Sequence, residues 1–265
     1  MKKALIRLAK ELENNNMEKQ HHIQLLPGEV GETVFLPGDV SRAKVIAEHF
    51  DSYEHVATNR QYNTFTGMYK GVRVSVTSTG IGGAATAIAI EELIKVGARN
   101  FIRIGTGGAF QEWLPSPCLL VITAAVRGEG TTREYFPPEY PAVADLDIVE
   151  GMLASAAELN VEVHPGLEWS HDAFYAGSTL SKLDILTIEK PWIDAGVLIA
   201  SQEASTVLAL SMARKCRGGT ILASSGCHQH PELSASDEEM VKVISNATKI
   251  SLETAVKLHK LDHGS

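Results

Sequence analysis

Cysteine is scarce: Cys118, Cys216 and Cys227 are the only three in 265 residues, too few and too scattered for a disulfide framework. A reducing compartment, the cytoplasm, is the expected location. No apolar run reaches the roughly 18 residues that a membrane-crossing helix needs, so no span is expected. Positive charge is also short. The 24 Lys and Arg against 32 Asp and Glu leave a net charge of −8, which argues against a non-specific nucleic-acid or membrane binder. An anionic ligand would need locally gathered cations, so individual arginines become informative. The opening "MKKALIRLAKELENNNMEKQ" carries the basic residues of a signal peptide. Arg7 and Lys10 break its apolar stretch, however, and no small-residue cleavage site follows. Residues 1–20 are expected to form an amphipathic helical extension ahead of one domain over residues 21–265.

What is present is alternation. "TVFLPG" reads as a strand, and "DVSRAKVIAEHF" as a helix capped at Asp39 or Ser41. "TGMYKGVRVSVTST" reads as a hairpin turning at Lys70-Gly71, and "GAATAIAIEELIKVGA" as a helix closed by Gly97. Strands follow at "NFIRIGT" and "CLLVITAAV", then a polar, proline-rich loop over 127–145 and a helix at "DIVEGMLASAAELN". Further strands are expected at "VEVHPGLEWS", "AGVLIA" and "GGTILASS", and a long helix closes the chain. Strands interleaved with helices mean an α/β sheet, largely parallel, covered on both faces. With 44% hydrophobic residues and no long linker, a single domain with a sizeable core is expected.

Arg103 stands out within "FIRIGTGGAF", because a charge in a strand that looks buried costs several kcal/mol unless something pairs with it. Thr106 follows at the same strand's end. In "LPGDVSRA", Gly38 lies between strand and helix and Arg42 one turn into the helix, where backbone N–H groups favour an anion. Two arginines and a hydroxyl at the carboxyl ends of strands suit phosphate or sulfate. Gly80, Gly82 and Ala85 make a G-x-G-x-x-A turn, but the acidic residue a dinucleotide site wants about 20 positions on is missing. Tight strand-to-helix packing is the simpler account. Cys227, His228 and His230 have no second cluster to complete a metal site, and no G-x-S-x-G elbow is present, so neither a metal nor a nucleophilic triad is expected. Glu203, at the head of "ASTVLALSMARKC", either complements a helix dipole or accepts hydrogen bonds from a diol such as ribose.

In this order, "LPGDVSRA", "STGIGGAATAIAIEEL", "RIGTGGA", "YPAVAD" and "SHDAFYAG" resemble the nucleoside phosphorylase family, the purine/uridine phosphorylase superfamily. The uridine phosphorylases are the branch most resembled, from about His22 to the C-terminal helix. The resemblance implies a single three-layer α/β domain around a central mixed, barrel-like sheet flanked by helices. It also implies homodimers, often built into hexamers, with shared active sites. The implied partners are a nucleoside and phosphate, and the implied reaction is reversible phosphorolysis to free base and pentose 1-phosphate. Inorganic phosphate is then the co-substrate and no cofactor is needed. Carried over by motif, Gly38, Arg42, Arg103 and Thr106 hold phosphate together with Arg60 of a neighbouring subunit. Glu203 and Gln202 lie at the ribose, His22 comes from the neighbour near the 5′-hydroxyl, and Phe174 lies beside the base.

Departures from the family pattern concentrate on the base. Where uridine phosphorylases carry a Gln and an Arg that read the uracil edge, this chain has Ser178 and Leu180. Gln202 replaces the family's methionine, and Gln61 replaces an acidic residue that helps to bind a monovalent cation in some members. His228 is a candidate replacement partner for the base. A purine nucleoside phosphorylase is the alternative, while a nucleosidase or a non-catalytic nucleoside binder fits poorly with three retained phosphate arginines.

Overall fold

Alternation along two neighbouring strands sets the layers. Strand β1 (Thr33–Leu36) is buried throughout, as is the first half of β5 (Asn100–Ala109), so both must be covered on each face. Phe35, Ile102 and Ile104 point to one side, where α1 (Val40–Ala47), α4 (Leu146–Glu158) and α7 (Asp237–His263) pack on them. Val34, Leu36 and Phe101 point to the other, against α2 (Gly83–Val96) and α6 (Ala204–Ala213). The side-chain period of two in a strand then assigns Arg103 to the face of Phe101, toward α2 and α6.

In the computed structural model, residues 18–176, 184–227 and 234–264 are described. Most of the expected N-terminal extension, and Ser178, Leu180 and His228, lie outside them. The remaining elements are β2 (Ser52–Asn59), β3 (Tyr62–Tyr69), β4 (Val72–Thr77), β6 (Cys118–Arg127), α3 (Thr131–Tyr135), β7 (Ala142–Val143), β8 (His164–Ser170), α5 (Ile185–Asp194), β9 (Ile199–Ser201) and β10 (Arg217–Cys227). Strands β5, β10, β6, β8 and β9 close on themselves as a five-stranded barrel. Strand β5 belongs to two structures at once. Its first residues pair with β1, which leads to the wing β1-β4-β3-β2, and its last residues pair with β9.

The sheet is mixed, as the family resemblance implied and against the largely parallel sheet read from alternation alone. Parallel ladders join β1 to β4 and β5, while the β2-β3-β4 meander is antiparallel. Its second turn is Lys70-Gly71, both at positive φ as a tight hairpin of right-handed strands requires. Strand β2 was not legible in the sequence, because it is an exposed edge strand that buries no alternating face. Helix α5 was hidden by Pro191 inside it. The loop expected over 127–145 contains the short elements α3 and β7. The C-terminal helix begins at a capping box, where Ser236 and Glu239 satisfy each other's backbone N–H groups.

Candidate active site

The carboxyl ends of β1, β4, β5 and β9 meet in one place, and each delivers a residue there. Arg103, 4% exposed, lies between Leu36 of β1 and Thr220 of β10. Its guanidinium folds back over Gly105, where a Cβ would fall 2.9 Å from Arg103 Cζ and 2.8 Å from Nη2. Only glycine leaves that space. Nη2 of Arg103 bonds Oε2 of Glu203, which is buried as well. The other carboxylate oxygen of Glu203 accepts the Gly82 N–H at 2.8 Å.

Glu203 is the N-cap residue of α6, yet its side chain does not cap that helix. The carboxylate turns toward Arg103 and Gly82 instead, so the helix terminus does not account for its hydrogen bonds. The G-x-G-x-x-A turn also does more than pack. Gly82, at φ 97°, caps α2 with a conformation that L side chains avoid and aims its N–H at Glu203. Gly38 completes the ring, since a Cβ there would lie 3.8 Å from Arg103 Nη1 and 4.0 Å from Glu203 Oε1.

Two donors of Arg103 remain. Nε and Nη1 are buried and have no hydrogen-bond partner among the described residues. Buried unpaired donors cost about 1–3 kcal/mol each, more on a charged group, so a fold that keeps two together is expected to satisfy them with a ligand. A charged guanidinium with open, buried nitrogens suits an oxyanion.

Behind the pair lies a carboxylate that the sequence analysis did not single out. Glu168 of β8 is fully buried and accepts the Ser201 hydroxyl at 2.6 Å and the Ser170 hydroxyl at 2.8 Å. Ser170 in turn accepts the Ser205 N–H at 2.9 Å, and the Ser205 hydroxyl donates to buried Glu129 at 2.9 Å. This network ties the start of α6 to β8 and to the turn before α3. Burial pushes the Glu168 carboxyl up to about 7; the serine hydroxyls and the positive charge of Arg103 oppose that rise, and the negative charge of Glu203 adds to it. The one sequence signal for Glu168 was a carboxylate in an otherwise apolar strand end, "GLEWS".

Arg42 stands in the first turn of α1. Its acidity is increased first by burial and then by the like charge of Arg103, against the pull of Asp39, which puts the two guanidinium groups in one electrostatic neighbourhood. The α1 N-terminus itself is taken: the Asp39 carboxylate accepts Ser41 N–H at 2.6 Å and Arg42 N–H at 3.3 Å. Those backbone groups, expected to favour an anion, are thus satisfied by Asp39. Thr106 is exposed at the end of the buried part of β5. Gln202 donates its amide to the Asp172 carbonyl at 3.1 Å, and Phe174 is 72% exposed beside Tyr175.

Arg60 and His22 come from the segments around the β2–β3 turn and ahead of β1. Arg60 sits exposed at φ 54° in the β2–β3 turn, and the neighbouring Asn59 amide holds the His22 carbonyl at 2.7 Å. The His22 ring lies 2.7 Å from Glu92 of α2 and stands edge-on to His21 and Tyr62. The described contacts of His22 therefore run to Glu92, Asn59, His21 and Tyr62 rather than to the Arg103–Glu203 pair.

This geometry has relatives. The chain matches the family described as the Phosphorylase superfamily over residues 32–257. It is 40% identical over 241 residues to a uridine phosphorylase of Thermococcus kodakarensis, covering 88% of this chain and 87% of that protein. It is 39% identical over 210 residues to a guanosine phosphorylase of Halorubrum lacusprofundi, covering 79% and 84%. Among solved structures, the purine nucleoside phosphorylase of Toxoplasma gondii in complex with immucillin-H superposes with a TM-score of 0.85 at 29% identity, covering 92% of this chain and 98% of that one. The uridine phosphorylase of Vibrio fischeri superposes with a TM-score of 0.80 at 30% identity, covering 91% and 97%. The chain belongs to the Phosphorylase superfamily, among its nucleoside phosphorylases, and is a pentosyltransferase.

Proposed function

We propose that the enzyme cleaves a uridine-like pyrimidine nucleoside with inorganic phosphate, reversibly, to the free base and pentose 1-phosphate. The observation that carries this reading is the pair of unpartnered donors on buried Arg103, held beside Glu203. Phosphate takes an open donor of Arg103, with Arg42, Thr106 and the Gly38 turn around it, and Arg60 of the neighbouring subunit closes the clamp. Glu203, fixed by Arg103 and the Gly82 N–H, accepts the ribose hydroxyls beside Gln202. His22 of the neighbouring subunit reaches the 5′-hydroxyl, and Phe174 borders the base.

The chemistry follows from charge. As the C1′–N bond breaks, the base leaves with the electron pair and positive charge develops on the sugar. A phosphate oxygen held against C1′ stabilises that charge and then bonds to it. Arginines keep the anion in place without exchanging protons, so the gain is one of position and field. Glu168 lies behind Arg103, and burial, which raises its carboxyl to about 7, leaves it only partly ionised near neutrality. When neutral, it leaves the Arg103 charge balanced by Glu203 alone and open to phosphate. A guanosine-cleaving relative at 39% identity, together with Ser178 and Leu180 in place of uracil-reading residues, favours a purine nucleoside as the second substrate class.

Incubation of uridine, thymidine, inosine, guanosine and adenosine with and without phosphate tests the reaction. Base release should require phosphate and yield pentose 1-phosphate. Arg103→Lys keeps the charge but loses the planar fork, so its KM for phosphate should rise at least about tenfold, an effect of order 1.4 kcal/mol. Free pentose as the product, or an unchanged KM for phosphate in a folded Arg103→Lys enzyme, contradicts the proposal.

A site completed by a neighbour makes a second prediction. Arg103→Ala and Arg60→Ala chains should each be inactive, yet mixing them should restore part of the activity, since some hybrid sites receive both arginines. Absence of rescue after demonstrated subunit exchange argues that each chain is self-sufficient.

Glu168 links stability to pH. Its carboxyl is raised from 4.5 to about 7 on folding, so between those values the native state binds more protons than the unfolded chain. Stability from this group is present below about 4.5 and is lost as pH rises toward 7. Glu168→Gln removes that loss, so the variant should gain on the wild type by about 2–3 kcal/mol between pH 5 and pH 8 in denaturant titrations. Parallel stability profiles would show that Glu168 is ionised throughout.

A further inference from the structure

At the opposite end of β1 from Arg103 and Glu203, three side chains with metal-binding chemistry meet. Glu32 immediately precedes β1, and its carbonyl is fixed by the Arg99 and Asn100 N–H groups at 2.8 and 2.9 Å. His259 and His263 lie four residues apart on α7, the spacing that puts two side chains on one helical face. Each of the three offers one ligand atom, and these atoms all lie within 4.8 Å of one another. The two imidazole rings are 4.5 Å apart, and His263 Nε2 is 3.0 Å from Glu32 Oε2.

In a tetrahedral zinc site with bonds of 2.0–2.1 Å, neighbouring ligand atoms are about 3.3 Å apart. The Glu32–His263 pair already has nearly that spacing. Glu32 and His263 are exposed, so rotation of their side chains closes the remaining distance to His259 without moving backbone. Two nitrogens and one carboxylate oxygen, with a fourth position for water, select zinc and its late first-row neighbours over magnesium or calcium. Asp262, bonded to Arg217 at 2.7 and 2.8 Å, adds a further carboxylate on the same turn.

We propose that Glu32, His259 and His263 bind a late first-row divalent cation, zinc in the first instance, which clips the end of α7 to the start of β1. The ligands belong to distant parts of the chain and come together only on folding, so binding stabilises the native state. The bound ion acts on stability and takes no part in catalysis.

The test uses the full chain after treatment with a chelator. Calorimetry with Zn2+ and visible absorption with Co2+ should each report one ion per chain, with the Co2+ bands of a tetrahedral site. His259→Gln and His263→Gln should each weaken binding by at least about tenfold, and Glu32→Gln should weaken it less. Zinc should raise the Tm of the wild type but not of the His259→Gln/His263→Gln double variant. All variants should keep the wild-type rate of nucleoside cleavage. Absence of one-to-one binding by the wild type overturns the proposal. So does a double variant that keeps wild-type affinity and spectrum, since the ion would then be held elsewhere, as at Cys227 and the two histidines after it.

Discussion

Arg103 and Glu203 form an ion pair inside the protein, and most of the local architecture is arranged around keeping it there. Removing either partner would strand the other charge at a cost of about 3–5 kcal/mol. The pair therefore demands that β5 and the β9–α6 junction stay in register. Closure of the barrel through β9 supplies that constraint, because β9 pairs with both β5 and β8 and ends two residues before Glu203. Gly105 gives the guanidinium room to fold back, and the Gly82 N–H fixes the far side of the carboxylate. What the pair does not use, the Nε and Nη1 donors of Arg103, has no partner among the described residues.

Charge around the pair is nearly balanced before any substrate arrives. Arg103 and Arg42 lie on one side of the account, Glu203 and the partly ionised, buried Glu168 on the other. A dianion entering such a place needs more positive charge than one chain supplies, which is why a neighbour's Arg60 matters to the proposed clamp. It also gives the proton on Glu168 a purpose, because a neutral Glu168 removes one repulsive charge from behind the phosphate. The serine relay from Ser201 and Ser170 to Ser205 and Glu129 holds this second layer in place. Neutral hydroxyl donors satisfy the carboxylates there without adding cations that would compete with Arg103.

The core of the proposed site was legible because its residues break local rules. An arginine in an apolar strand and glycines between strand and helix both stand out against the pattern, and the structure brings Gly38, Arg103 and Glu203 together. Glu168 was not legible, since a single carboxylate at a strand end resembles an ordinary solvent-facing residue until the barrel closes over it. Strand β2 escaped for the opposite reason, having no buried face to leave a trace in its sequence. The anchoring of His22 on Glu92 and Asn59 is a fact of long-range geometry that no local pattern encodes. The grouping of Glu32 with His259 and His263 likewise depends on where α7 ends against the sheet.

The most direct measurement of the central claim is a crystal structure of the enzyme with phosphate, or with sulfate as an unreactive stand-in. The account predicts an anion oxygen within about 2.7–3.2 Å of Nε or Nη1 of Arg103, with the Arg103–Glu203 pair intact and Arg42 turned toward the same anion. An anion bound elsewhere, with Nε and Nη1 of Arg103 taken up by protein acceptors, would contradict it.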